Sequence, residues 1–196
     1  MTKILFVCHG NICRSPMAEF IMKDLVRKAG LESRSHIESA ATSAEEIGNP
    51  VYPPARRELA KHGIDCTGKT ARQLRRADYD RFDLLIGMDR ANLRNMHRIC
   101  GGDRDGKLHL LMEYAARKGA QGEPGGTDSV GIGGAGEHPL QAERDGSGLC
   151  CGEVADPWYT GDFEATWRDV LAGCQGLLDI LREQNSSGLS GGSVVS

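Results

Sequence analysis

What is scarce in this chain narrows its reading first. No CxxC pair occurs, and the cysteines number seven, at scattered positions 8, 13, 66, 100, 150, 151 and 174. That spacing argues against a disulfide scaffold or a structural zinc site. Cys8, His9 and Cys13 lie near one another, but no second ligand pair at matching spacing accompanies them, so neither metal nor cofactor is expected. Long apolar runs are missing too. The longest early one, Ile4–Val7, is too short for a signal-peptide core or a membrane span, so a cytoplasmic protein without membrane contact is expected. Neither charge sign dominates: 24 Lys and Arg against 27 Asp and Glu leave a net charge of −3. Nucleic acid is therefore not an expected partner, and any anion selectivity must be local.

What is present is a chain of 196 residues with ordinary hydrophobic (39%) and charged (26%) content, sized for one α/β domain. Apolar runs alternate with helical periods. Lys3–Val7, His36–Ala41, Phe82–Met88 and Lys107–Met112 read as strands. Pro16–Ala29 reads as a helix with Ala18, Ile21, Met22, Leu25 and Ala29 on one stripe. Pro54–His62 reads as a second, a third follows the cap Asp89 to about Ile99, and Asp162–Glu183 is the longest. Such alternation predicts a parallel sheet with helices on both faces, and ligands in such folds sit beyond the carboxyl ends of the strands. From about 117 to 153 the chain turns glycine-rich ("GEPGGTDSVGIGGAGE") and periodicity is lost. This segment reads as an insertion in a single domain spanning 1–185, with residues 186–196 a disordered tail.

The stretch "ILFVCHGNICRSPMAEF", Ile4 to Phe20, is odd for a packed core. It runs a strand into Cys8, then through His9, Gly10, Asn11, Ile12 and Cys13 to Arg14, Ser15 and Pro16. A loop curling from strand to helix can aim successive backbone N–H groups at an oxyanion. Gly10 supplies backbone freedom, and Arg14 offers a planar fork for two phosphoryl oxygens. The positive end of the helix, with the Ser15 hydroxyl beside it, favours a thiolate at Cys8. The stretch lacks the Gly-Lys-Ser/Thr ending that a Walker-type loop requires. A thiolate attacking an aryl phosphate also needs an acid for the leaving oxygen. "ADPWYTGDF" supplies one: Asp156 precedes a proline, beside Trp158 and Tyr159, which could wall an aromatic ring.

"VCHGNICRSP" together with "DPWYTGDFE" resembles the low-molecular-weight protein tyrosine phosphatase family, over most of 2–112 and 154–184. The resemblance implies a four-stranded parallel sheet with a phosphate-binding loop after strand 1. It implies a phosphotyrosine-containing protein as substrate, a phosphocysteine intermediate and a monomer or weak homodimer. It implies Cys8 as nucleophile, Arg14 as phosphate and transition-state binder, and Asp156 as general acid and then base. It further implies that Asn11 braces the loop, that Ser15 stabilises the thiolate, that Ser39 buttresses Asn11, and that Cys8 and Cys13 can form a reversible disulfide. "ARQ" at Ala71–Gln73 and "GMD" at Gly87–Asp89 match family segments. Three positions depart from the pattern: Glu45 stands where an aromatic often lies at the pocket rim, Lys69 where a histidine often joins the loop brace, and the glycine-rich insertion where relatives are shorter. Two rivals share the fold. An arsenate reductase needs a relay of further thiols, and Cys150 and Cys151 are adjacent rather than suitably spaced. A phosphoarginine phosphatase carries Thr where this chain has Ile12.

Overall fold

The computed structural model describes residues 1–120 and 152–187. Four strands, β1 (Thr2–Cys8), β2 (Ser35–Ala41), β3 (Leu84–Gly87) and β4 (Leu108–Leu110), alternate with helices. The helices are α1 (Arg14–Lys28), α2 (Pro53–Lys61), α3 (Arg76–Arg81), α4 (Arg90–Cys100), α5 (Leu111–Ala120), α6 (Pro157–Thr160) and α7 (Phe163–Ser187). All strand pairs are parallel, in the order β2-β1-β3-β4. The chain thus leaves β1 for one neighbour and later returns to its other side. The carboxyl end of β1 is therefore a topological switch point, the place where an open α/β sheet leaves a crevice. Cys8 closes β1 there, paired in register with Ala41.

Ile4–Val7 are fully buried because helices cover both faces of the central strand. Ile4, Phe6 and Cys8 face a core built with α1, α5 and α7, whereas Leu5 and Val7 face Tyr79, Met96 and Cys100 of α3 and α4. Among the described residues no helix is long and apolar enough to cross a membrane.

The four expected strands and four expected helices are present, with shifted ends. Helix α1 starts at Arg14, so Pro16 stands third rather than first; its missing N–H costs nothing there, because the first-turn donors have no intrahelical partner. Val26, rather than Leu25, is fully buried on that helix. Phe82 ends α3, a short helix that periodicity alone does not reveal, and β3 is correspondingly narrower than Phe82–Met88. The expected strand Lys107–Met112 breaks at Leu110, where Leu111 and Met112 open α5 and pack against α7. Helix α7 continues through Ser187, past the expected start of the tail. Residues 121–151, which hold most of the glycine-rich segment with Cys150 and Cys151, and residues 188–196 lie outside the described residues.

Helix α5 sits unusually close to α7. A Cβ added at Gly176 would lie 2.1 Å from the Tyr114 carbonyl oxygen, and one at Gly173 would lie 2.5 Å from Leu111 Cγ. Helix propensity alone favours Ala over Gly by about 1 kcal/mol. Overpacking against a backbone carbonyl costs about 1–3 kcal/mol and should dominate. Gly176→Ala is thus expected to lower Tm, by about 2–4 °C for each kcal/mol lost in a chain of this size. A thermal melt showing an unchanged or raised Tm would mean that α5 is not seated on α7 this way.

Candidate functional site

Cys8, the last residue of β1, is 3% exposed and forms the floor of a cavity of about 270 Å³. The carbonyls of Cys8, His9 and Ile12 are turned outward to accept from the N–H groups of Thr42, Ser43 and Tyr52. The loop amides are thereby free to face inward, and Asn11 N–H donates to Cys8 Sγ at 3.3 Å. Ser15 Oγ lies 3.0 Å from the same sulfur.

The left-handed backbone position falls on Asn11 (φ 57°) and not on Gly10. Among the described residues Asn11 is the one non-glycine with positive φ, a conformation costing about 1–2 kcal/mol. Its side chain holds it there. Nδ2 donates to Ser15 Oγ (2.9 Å) and Ser39 Oγ (2.7 Å), while Oδ1 accepts from Arg72 N–H (3.1 Å). The Ser39 buttress is therefore present. Gly10 matters for space instead, since a Cβ there would meet Glu46 Cγ at 3.2 Å.

Arg14 opens α1 and is buried between two carboxylates. One arm donates to Asp89 Oδ2 (2.7 Å) and the other to Asp156 Oδ2 (2.5 Å). Burial disfavours the cation, but the charges of Cys8, Asp156 and Asp89 outweigh it and hold the guanidinium pKa above its ordinary value. Asp89 also caps α4, accepting from Asn92 N–H at 2.6 Å, so one carboxylate fixes both a helix and the arginine plane. Asp156 is 142 residues from Arg14 in sequence. It arrives because neighbouring atoms are pinned: Val154 N–H donates to Met88 O, and Ala155 N–H donates to Asp169 Oδ2 on α7. Its other oxygen accepts from Trp158 N–H.

The cavity rim carries His9, Glu45, Glu46, Trp158 and Tyr159, with Ile12 and Cys13 on the wall. His9 Nε2 and Glu45 Oε2 are 3.1 Å apart, both exposed. Trp158 and Tyr159 are 61% and 85% exposed, and Tyr52 extends the aromatic wall, with its ring 5.7 Å from Trp158. Every residue expected at the site is thus gathered around this cavity or, for Asn11 and Ser15, directly beneath it. Tyr52 and the Arg14 contact of Asp89 are additions; only the "GMD" string hinted at the latter. Two hollows of about 490 and 630 Å³ are larger, but no cysteine lines either.

The string Gly63-x4-Gly68-Lys69-Thr70 matches a Walker pattern by composition. It follows α2 instead of a strand and opens no helix, and Lys69 is paired with Glu19 at 2.7 Å, so it is no phosphate loop. Cys66, Cys100 and Cys174 are buried in the cores, away from the cavity, and burial raises the pKa of each.

A family model described as "Low molecular weight phosphotyrosine protein phosphatase" matches residues 3–123. The low molecular weight protein-tyrosine-phosphatase YfkJ of Bacillus subtilis is 33% identical over 94% of this chain and 98% of its own. A low molecular weight phosphotyrosine protein phosphatase of Schizosaccharomyces pombe is 39% identical over 80% of this chain and 94% of its own. The crystal structure of YfkJ superposes with a TM-score of 0.74 at 32% identity, covering 94% of this chain and 96% of the other.

Cys13 shares the cavity with Cys8. Burial, aided by the charges of Cys8 and Asp156, pushes its pKa up to about 12, so it remains a neutral thiol from pH 6 to 9. Peroxide should therefore oxidise the Cys8 thiolate to a sulfenic acid, releasing hydroxide, and the Cys13 thiol should then displace water to form a disulfide. Peptide mapping after peroxide is expected to find Cys8–Cys13 in the parent chain and Cys8 sulfinic acid in Cys13→Ser. A Cys8 sulfinic acid at equal yield in both chains would remove Cys13 from that role.

Proposed function

The chain belongs to the low molecular weight phosphotyrosine protein phosphatase family and is a protein tyrosine phosphatase, and from that premise we propose that Cys8, Arg14 and Asp156 carry out its chemistry. One observation carries the assignment: residues 8, 14 and 156 converge on one cavity, with the acid bonded to the arginine that flanks the sulfur. The substrate class is a phosphotyrosine monoester on a protein.

In this reading the Cys8 thiolate attacks phosphorus in line as the bond to the tyrosine oxygen breaks, giving a phosphocysteine. Asn11 N–H and the Ser15 hydroxyl keep the sulfur anionic and aimed. Arg14, its plane set by Asp89, takes phosphoryl oxygens and their developing charge. As those oxygens engage Arg14, Asp156 gives up that bond, and its carboxyl carries the proton to the leaving oxygen. In the second half Asp156 takes a proton from the attacking water, the S–P bond breaks and phosphate departs. Trp158 and Tyr159 flank the ring of the substrate, with Tyr52 packed against Trp158.

The rivals find little support. An arsenate reductase relay needs thiols that can reach Cys8, and among the described residues only Cys13 shares its cavity. Ile12 keeps the wall apolar at the position where a phosphoarginine phosphatase has Thr; it packs with Cys13 and Ala71.

Cys8→Ser is expected to abolish steady-state turnover of an aryl phosphate. Asp156→Asn should slow it by about 10²–10⁴-fold, with the greater loss for leaving groups of high pKa. A loss that is flat across a leaving-group series would mean that Asp156 is not the acid.

Glu45 and Glu46 make the rim facing the substrate chain acidic. Phosphopeptides with carboxylates beside the phosphotyrosine should therefore be disfavoured. Glu45→Leu is expected to raise kcat/KM for such peptides by about two- to fivefold, as befits an exposed charge, and to leave a small aryl phosphate unaffected. An equal change for both substrates would place Glu45 outside peptide selection.

A further inference from the structure

A fully buried carboxylate takes no part in the steps above. Asp169 lies in the second turn of α7 and is 0% exposed. Its Oδ2 accepts from Ala155 N–H at 3.0 Å, and its Oδ1 receives no hydrogen bond from any described residue. An open carboxylate oxygen in a protein interior lowers stability, so its presence calls for a reason outside the fold. Its own helix does not supply one. Asp162 already caps the start of α7, accepting from Ala165 N–H at 2.8 Å. We propose that Asp169 is a positioning residue for the acid, holding Asp156 through the Ala155 backbone, and that it serves the reaction and not the fold. The proposal rests on Asp156 being the acid of the reaction above.

The two sides of Asp156 are held unequally. After it come Trp158 and Tyr159, 61% and 85% exposed, in a helix of four residues. Exposed residues in so short a helix give the acid little support. Before it the chain is fastened atom by atom. Val154 N–H donates to Met88 O at 2.8 Å, Ala155 N–H donates to Asp169 Oδ2, and Ala155 O accepts from Thr166 Oγ1 at 3.0 Å. A trans peptide is planar, so holding the Ala155 carbonyl fixes the plane that ends at the Asp156 Cα, and holding its N–H fixes the plane before that. Thr166 is the weaker hold, because its one hydrogen is also within reach of Asp162 O, at 3.2 Å on its own helix. Asp169 has no competing donor among the described residues, and a charged acceptor makes the stronger bond.

This hold matters most as the substrate binds. In the resting site Arg14 carries Asp156 Oδ2, and that bond is given up when phosphoryl oxygens take the guanidinium. Trp158 N–H then remains on the carboxylate, from the exposed side. The aim of the acid at the leaving oxygen therefore depends on where Ala155 places the Asp156 Cα, and proton transfer demands hydrogen-bond reach. Asp169 does not touch the rest of the site. Cys8 is met by Asn11 and Ser15, and Arg14 by Asp89. A change at Asp169 should reach the acid alone.

The test compares kcat/KM across aryl phosphates, from phenyl phosphate to dinitrophenyl phosphate, whose leaving oxygen needs no proton, beside a thermal melt. In Asp169→Leu the value for phenyl phosphate is expected to fall about tenfold, and that for dinitrophenyl phosphate by less than about twofold. Tm is expected to hold or rise, since an apolar side chain replaces an open buried oxygen and the N–H of half-buried Ala155 can turn to water. Asp169→Asn keeps an acceptor for that N–H and should stay within about twofold of the parent chain. In an Asp156→Asn background, Asp169→Leu should cause no further loss, because the two residues act as one unit. A merely structural residue would lower Tm and slow all substrates alike. That result overturns the proposal, as does an Asn variant as slow as the Leu one, or a full further loss on top of Asp156→Asn. If Asp169→Leu does not fold, Asp169→Ala decides by the same comparison. A loss flat across the series in Asp169→Leu alone leaves the acid assignment standing, whereas a flat loss in Asp156→Asn removes that assignment and this proposal with it.

Discussion

A sulfur anion at the bottom of a loop must be met by donors, because burial without them favours the neutral thiol. Much of the organisation around β1 answers that constraint. The loop turns its carbonyls outward to three neighbouring amides, and the one residue forced into a left-handed conformation is the one whose N–H reaches the sulfur. The strain at Asn11 persists because its amide is held on three sides. Local backbone cost is thereby exchanged for hydrogen-bond order around the Cys8 sulfur, as at other functional sites where surroundings over-determine a conformation.

The fold supplies the remaining pieces by topology. With β1 between β2 and β3, the loop after it is reached from both sides. The turn after β2 supplies amides and the acidic rim, the end of β3 supplies Asp89, and α7 anchors the segment carrying Asp156. None of these elements could bring its residue within reach if the sheet were reordered. The same arrangement gives Arg14 two carboxylate partners on opposite sides, so its charge is held while its position is set.

Local chemistry was legible in the sequence where short stretches carry it. Cys8 to Ser15 is one continuous string, and Asp156–Pro157 announces a turn with an acid, so the core of the site could be named before its geometry. What escaped was nonlocal or masked by composition. Tyr52 packs against Trp158, and Asp89 reaches Arg14, only because the fold brings together segments far apart in the sequence. Helix α5 was hidden because the apolar residues Leu110, Leu111 and Met112 run straight on from the strand, and over so short a run strand and helix cannot be told apart by periodicity. Gly10 drew the expectation of backbone freedom that Asn11 fulfils, because an asparagine with three side-chain partners can hold a left-handed angle that glycine merely tolerates.

Lys69 shows the same limit from the other side. As a departure from the family pattern it leaves open whether the loop brace is kept, and as part of Gly-Lys-Thr it even imitates a phosphate loop. The structure gives it a different place, against a carboxylate of α1 and the carbonyl of Ser39. Its position is possible because Thr70 bridges to Pro50 and Ala71 exchanges backbone bonds with Asn49 and Gly48, which brings the 66–71 turn against the β2 side of the loop. Val154 and Ala155, which follow the glycine-rich segment in sequence, have comparable anchors. Whatever its length, the chain after it is caught by the Met88 carbonyl and by Asp169 before it reaches Asp156. The Asp156 carboxylate is therefore placed by bonds to the residue after β3 and to α7.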